Sequence, residues 1–360
     1  MHQFLFFPYF PVDDIDLRVN RVHLFNFWRH KDTYIPDSLV KDKIEKFCSL
    51  YVDNNLEVIR SLTIAVIDNN YSFTHLTDEQ LNDLRRFASA LLFASIINNQ
   101  TNSVCVSEQF ALVHQNFNLT EDAIVFTTGS FYRVQNWQSF EMTRLVRPAY
   151  VPSNTLFYRF DDKLLEGFAN VIDDHSPDND YLFRTLEWVG YTFINSEGYS
   201  GASRHVMLAT AFEIFFDLPD FGKADEFAGK LESLLEVDKM EIYDKKFKLI
   251  QTGLTPVTKK NAVGKDKTNT MYGWWARDFY HLRSKIVHGD EITNADIRNH
   301  NNEQHLIIGL KMLAFCFYKL LENKGYLVFE TIQNIPAFAG ISYERISTYR
   351  DLRKIEQLIS

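Results

Sequence analysis

HLIIGLKMLAFCFYKLL, His305 to Leu321, places apolar residues on every side of a 3.6-residue helical turn, leaving little face for water. A helix of that kind is stable only when other helices surround it, and the residues before it supply them. Leu182–Phe193 and Arg204–Phe216 are helical runs separated by the Gly198–Gly201 turn, the second ended by Pro219. Asp225 to about Glu236 follows, with Phe227, Leu231, Leu234 and Leu235 at helical spacing; then come about Tyr272–His288 and the last helix, about Glu303–Asn323, capped by Gly325. The basic stretch 252–270, bearing Gly, Thr, Asn and Pro256, reads as an exposed loop. An all-α antiparallel bundle over residues 153–327 is the expected result.

Upstream the pattern changes. VHLFNFWR and LTIAVID are apolar runs of strand length, DAIVFTTGS ends in turn residues, and one clear helix lies between them, from Thr77 to about Asn98. Thr77 and Gln80 make a capping box there, and Leu81, Leu84, Ala88, Leu91 and Leu92 form its stripe. VRPAYVPSN, with Pro148 and Pro152, marks the boundary, so residues 1–152 read as a mixed α/β domain of sensing or regulatory role. The tail, 328–360, continues a strand-like YLVFETI and closes in a charged helix, SYERISTYRDLRKIEQL. The expected class is α+β, a mixed domain followed by a helical bundle.

Composition excludes several classes. The 360 residues, 46% hydrophobic, contain no apolar run near the roughly 18 a membrane span needs. MHQFLFFPYFPVDD has no basic start and is broken by Pro8 and Pro11, so it reads as a buried first strand rather than a signal peptide. Cys48, Cys105 and Cys316 have no paired spacing, which suits a reducing cytoplasm. Phosphate-loop, dinucleotide, zincin and nucleophile-elbow signatures are absent. His300 and His305 lie near Asp296 and Glu303, but polar residues gathered at a helix start account for them, so neither metal nor cofactor is expected.

The formal charge of −9 is unevenly spread. Between Lys245 and Lys285 ten Lys/Arg face only Asp266 and Asp278, a local +8 that leaves −17 for the rest. A solvated lysine-rich loop is one reading; a patch that attracts a polyanion, with Lys259, Lys260, Lys265, Lys267, Arg277 and Lys285 as contacts, is the other.

Within that patch lies LRSKIVHG, Leu282–Gly289, with Arg283 five residues before His288. Spacing alone does not single it out, because Arg18–His23 and Arg298–His305 are similarly spaced. Arg18–His23 lies in strand-like RVNRVHLF, where alternate residues point to opposite faces, and Arg298–His305 straddles a turn, so neither is expected to put both groups on one surface. On a helix Trp275, Phe279, Leu282 and Ile286 make a buried stripe, and the arc from Arg283 through Val287, Tyr280 and Ser284 to His288 makes a second face. Gly289 stops the helix with His288 exposed in its last turn, where an imidazole can exchange protons near neutral pH.

ARDFYHLRSKIVHGD resembles the signature of the HEPN superfamily, most closely its Apea-like branch, and RHVMLATAFEIFFDL is similar to that branch's second helix, with Glu213 amid apolar residues. The likeness covers roughly Tyr181 to Leu327. It implies a HEPN-like helical bundle that dimerises through the motif face, and a metal-independent endoribonuclease of the toxin–antitoxin or antiphage kind, with RNA as substrate and an antitoxin or phage-derived trigger as partner. Arg283 and His288 would be its catalytic pair, with Ser284, Tyr280 and Glu213 in support. Active members often carry Asn, Asp or His where this chain has Ser284, which bears on rate. The alternative is a non-catalytic HEPN module that binds RNA, a nucleotide or a partner protein.

Overall fold

The computed structural model describes residues 2–98, 106–119, 124–128, 131–134, 144–148, 151, 160–194, 200–236, 257–260, 266–297 and 304–328. The chain is α+β. It divides into two compact units, Met1–Ser176 with Phe193–Glu197, and Pro177–Thr192 with Gly198–Ser360.

The first unit opens with β1 (His2–Phe7), β2 (Asp16–Val19) and β3 (Val22–Asn26). Asn26 then caps α1 (Phe27–Tyr34) by accepting from Arg29 N, so the VHLFNFWR run is strand only as far as Asn26. Asp37 caps α2 (Ser38–Cys48) in the same way, accepting from Leu39 N and Val40 N. The short β4 (Tyr51–Val52) is followed by β5 (Thr63–Ile67) and α3 (Asp78–Asn98), whose expected capping box forms: Gln80 N donates to Thr77 Oγ1 at 3.2 Å and Thr77 N to Gln80 Oε1 at 3.0 Å. β6 (Val113–Phe117), β7 (Ile124–Thr128), β8 (Phe131–Val134), β9 (Leu145–Val146) and α4 (Asp162–Asp174) complete it.

An antiparallel sheet runs β2-β3-β5-β1-β6-β7-β8. Phe4, Phe6, Phe25, Ile64 and Val66 share one face and cluster with Ile35, Val40, Ile44 and Phe47 of the α1–α2 region. The alternate residues Leu5, Phe7, Leu24, Ala65 and Ile67 are buried as well, so the strands read as continuous apolar runs because both faces are covered.

The boundary falls at Ser176 rather than near residue 152, because α4 packs on α3. The Phe93 and Phe168 rings meet edge to face with centroids 6.3 Å apart, and Asn20 in the β2–β3 turn donates to Asn170 and Asp173. The same turn corrects a sequence expectation. β2 and β3 are joined by Asn20 and Arg21, and their register makes Arg18 and His23 direct cross-strand partners. Both therefore occupy one face.

The second unit contains α5 (Asp180–Thr192), α6 (Gly201–Phe215), α7 (Lys223–Glu236), α8 (Met271–His288), the one-turn α9 (Asn294–Ile297) and α10 (His305–Asn323). The expected loop 252–270 contains an antiparallel pair, β10 (Val257–Lys260) with β11 (Asp266–Asn269), which the apolar pattern could not announce because its residues are mostly Lys, Thr and Asn. The tail beyond Val328, with its expected strand and helix, lies outside the described residues, as do Lys265, Arg298, His300 and Glu303.

α10 is buried nearly all round, from Ile308 through Phe317 to Leu321. Gly309 lets it approach its neighbours closely: a Cβ there would stand 2.9 Å from Leu208 Cδ2 of α6 and 3.1 Å from Phe279 Cε2 of α8. Gly309→Ala is expected to lose stability. The helix-propensity gain of about 1 kcal/mol is outweighed by about 1–3 kcal/mol of overpacking against two fully buried side chains. A urea midpoint at or above the parent's would contradict that close fit.

Candidate active site

α8 is capped at both ends by its own sequence. Thr270 accepts from Gly273 N, and Gly289 adopts φ 75°, the left-handed conformation glycine tolerates, while its N–H donates to Ile286 O. Trp275, Phe279 and Leu282 are buried as expected, Ile286 only partly so, and Tyr272 and Ala276 join the buried stripe. His205 on α6 fixes this face, its Nε2 lying 2.9 Å from Phe279 O with the two rings 4.2 Å apart.

Arg283 lies at the edge of the buried stripe with its side chain 23% exposed. Its Nε is 3.3 Å from Glu213 Oε1 of α6, near enough for an ion pair but off the geometry of a hydrogen bond, and its guanidinium carbon stands 5.5 Å from the Tyr280 ring centroid. Glu213 is the centre of the group. Its Oε1 accepts from Tyr280 Oη at 2.6 Å and its Oε2 from Lys223 Nζ at 2.6 Å. Burial, then the Glu213 carboxylate, pushes the Tyr280 hydroxyl above its ordinary range, so it stays a donor at neutral pH.

The arrangement holds Arg283 in place by charge and ring contact and commits none of its N–H groups to a hydrogen bond among the described residues. Tyr280 does not present a face for a dimer contact. It is 7% exposed and spent on Glu213, leaving Val287, half exposed, as the apolar residue of that arc.

His288 is exposed, and among the described residues no hydrogen bond or ion pair holds it. It stands five residues beyond Arg283, about 140° round the axis and about 7.5 Å along it. Ser284 is half buried, and no hydroxyl hydrogen bond ties it to either group among the described residues.

The basic neighbours are more committed than their charges suggested. Lys267 and Arg277 both pair with Asp225 of α7; burial would raise that carboxyl, yet the two cations hold it below the usual carboxylate range. Lys285 pairs with Asp296 and holds it low, helped by Thr293. Lys259 is exposed with its ammonium 5.4 Å from the Trp274 ring, which Arg277 approaches from 5.8 Å. Lys260 pairs through its backbone with Asp266. Sequence reasoning missed Lys223 and Asp225, because Lys223 acts across the α6–α7 turn on Glu213 and Asp225 reaches from α7 to β11 and α8, pairings that spacing along the chain cannot reveal.

Among the described residues no three His, Cys, Asp or Glu side chains group as a metal ion would need, and no helix is long and apolar enough to cross a membrane. Comparison with family models, with curated proteins and with solved structures returns no match to this chain.

Proposed function

We propose that the helical unit is a metal-independent endoribonuclease of the HEPN kind, a cytoplasmic toxin or antiphage effector whose first unit senses a trigger or restrains the site. One observation carries this reading: an arginine held by Glu213 and Tyr280, with no hydrogen bond among the described residues, stands on the same helix as an exposed histidine that none of the described residues engages.

RNA can be cut without metal if the 2′-OH loses a proton as it attacks phosphorus, the 5′-oxygen gains one, and the charge on the phosphoryl oxygens is met. His288 supplies the proton transfers. Arg283 supplies a planar, permanently charged fork for the phosphoryl oxygens. A single copy provides one of each, and a two-fold dimer joined about the exposed Val287 would bring two pairs together.

The second reading, a HEPN module that binds RNA, a nucleotide or a partner without cutting, is favoured by the Glu213 contact that draws Arg283 toward α6 and by the arc separating it from His288. Purified protein incubated with RNA in EDTA separates the two. Fragments ending in 2′,3′-cyclic phosphate, with DNA left intact, are expected; Arg283-dependent binding without cleavage would leave the second reading standing instead.

A further inference from the structure

The pairing of Arg18 with His23 places a second arginine and histidine on one surface of the first unit, in company that the proposed ribonuclease does not use. His23 is 3% exposed and lies between two partners: its Nε2 is 2.6 Å from Asp16 Oδ1, and its Nδ1 is 2.8 Å from Tyr71 Oη. Tyr34 Oη donates to the other oxygen of Asp16 at 2.6 Å. The Tyr34 and Tyr71 rings stack at 5.7 Å and 17°, and the exposed Arg18 guanidinium stands 5.6 and 5.9 Å from their centroids while NH1 donates to Asn69 Oδ1 at 3.3 Å.

Proton bookkeeping fixes the direction of this chain. Burial works against the Asp16 carboxylate, but Tyr34 and His23 hold its pKa below the ordinary value, so it accepts only. His23 must then donate from Nε2. Burial, with Arg18 beside it, pushes His23 down against the pull of Asp16, so the ring is neutral and Nδ1 accepts from the Tyr71 hydroxyl. Tyr71 therefore turns its proton inward and leaves its lone pairs to the Arg18 guanidinium beside it.

A single added proton reverses that chain. Imidazolium donates from both nitrogens, Nδ1–H takes the Tyr71 oxygen as acceptor, and the phenolic O–H turns outward beside Arg18. The facing groups are Asp16 and Arg18 from β2, His30 and Tyr34 from α1, and Tyr71 from the segment after β5; the β5 partner of His23 is the apolar Val66. Of these only Asp16, with Asp14 beside His30, opposes an anion, and Asp16 is already occupied by two donors.

We propose that Arg18, Tyr71 and His23 form a binding site for a tetrahedral oxyanion, as borne by a small phosphate ester, and that its occupation takes up one proton on His23. Arg18 is the charge contact, Tyr71 the switched donor, and His23 with Asp16 the group that sets which way Tyr71 points.

Sulfate tests this cleanly because it stays dianionic across the range of interest. Calorimetric titration of the full chain, in an Arg283→Ala background that removes the arginine of the proposed ribonuclease site, is expected to show saturable binding. The dissociation constant should fall up to about tenfold per pH unit between about pH 8 and about pH 6, with uptake of a proton. Arg18→Ala should abolish binding, and Tyr71→Phe, which keeps the ring packed against the core and removes only the hydroxyl, should remove the gain at low pH. His23→Gln should leave weak binding with no pH slope. Absence of binding, binding unchanged in Arg18→Ala, or a pH slope that survives Tyr71→Phe would each overturn the proposal.

Discussion

Arg283→Ala is expected to slow RNA cleavage by at least about a hundredfold while costing the fold no more than about 1–2 kcal/mol. The two numbers differ because Arg283 does little for the bundle. Its ion pair with Glu213 is part-exposed and lacks a hydrogen bond, worth about 0–1 kcal/mol, and its contact with the Tyr280 ring adds about 0.5–1 kcal/mol. After the substitution Glu213 keeps both Lys223 and Tyr280, so no buried charge is stranded. On the ribonuclease reading, the reacting phosphate would lose the cation that Glu213 and Tyr280 hold in place. His288→Ala should be as damaging to cleavage and milder still to stability, since nothing described holds His288. Single-turnover cleavage in EDTA beside a thermal melt reads both quantities. Equal rates in the parent and both variants would mean the activity belongs to a contaminant, and the ribonuclease reading would fall.

What could be read ahead of the structure was whatever a single helix determines by itself. α10 is apolar all round and so had to be enclosed; α8 ends in Val–His–Gly and so had to stop with His288 exposed. Features that depend on which residue lies opposite were hidden. A two-residue turn pairs position i with position i+5, so Arg18 and His23 share a face although strand alternation along one chain puts them on opposite sides. Asp225 and Asp296, which quench much of the basic patch, reach their cations from other elements. α1 and α2 were legible but unread: Asn26 and Asp37 are good caps, and Val40, Ile44 and Phe47 follow at helical spacing. The neighbouring strands carry the stronger apolar signal, because both faces of their sheet are buried.

Acid should loosen the second unit well before most carboxylates are protonated. His205 and His305 are both nearly inaccessible, 4% and 5% exposed, and burial pushes each from an ordinary 6.5 down to about 4; the His205 hydrogen bond to Phe279 O resists that shift only in part, and His305 reinforces it. The unfolded chain binds these protons first. Stability is therefore complete above pH 6.5 and declines as pH falls, the loss ending only below about 4. Each histidine can contribute up to about 3 kcal/mol across that window, less than additively because the two interact. Amide exchange in α8 and α10, corrected for the intrinsic pH dependence, should show protection falling by about 2 kcal/mol or more between pH 7 and 5. His305→Leu is the informative variant. The Nδ1 of His305 has no hydrogen-bond partner among the described residues, so the change removes the titrating group without stranding another and should flatten the decline. A decline as steep in His305→Leu as in the parent would take His305 out of the account and leave His205 to carry it, because Asp225 and Asp296, held below the usual carboxylate range, lose their contribution only at still lower pH.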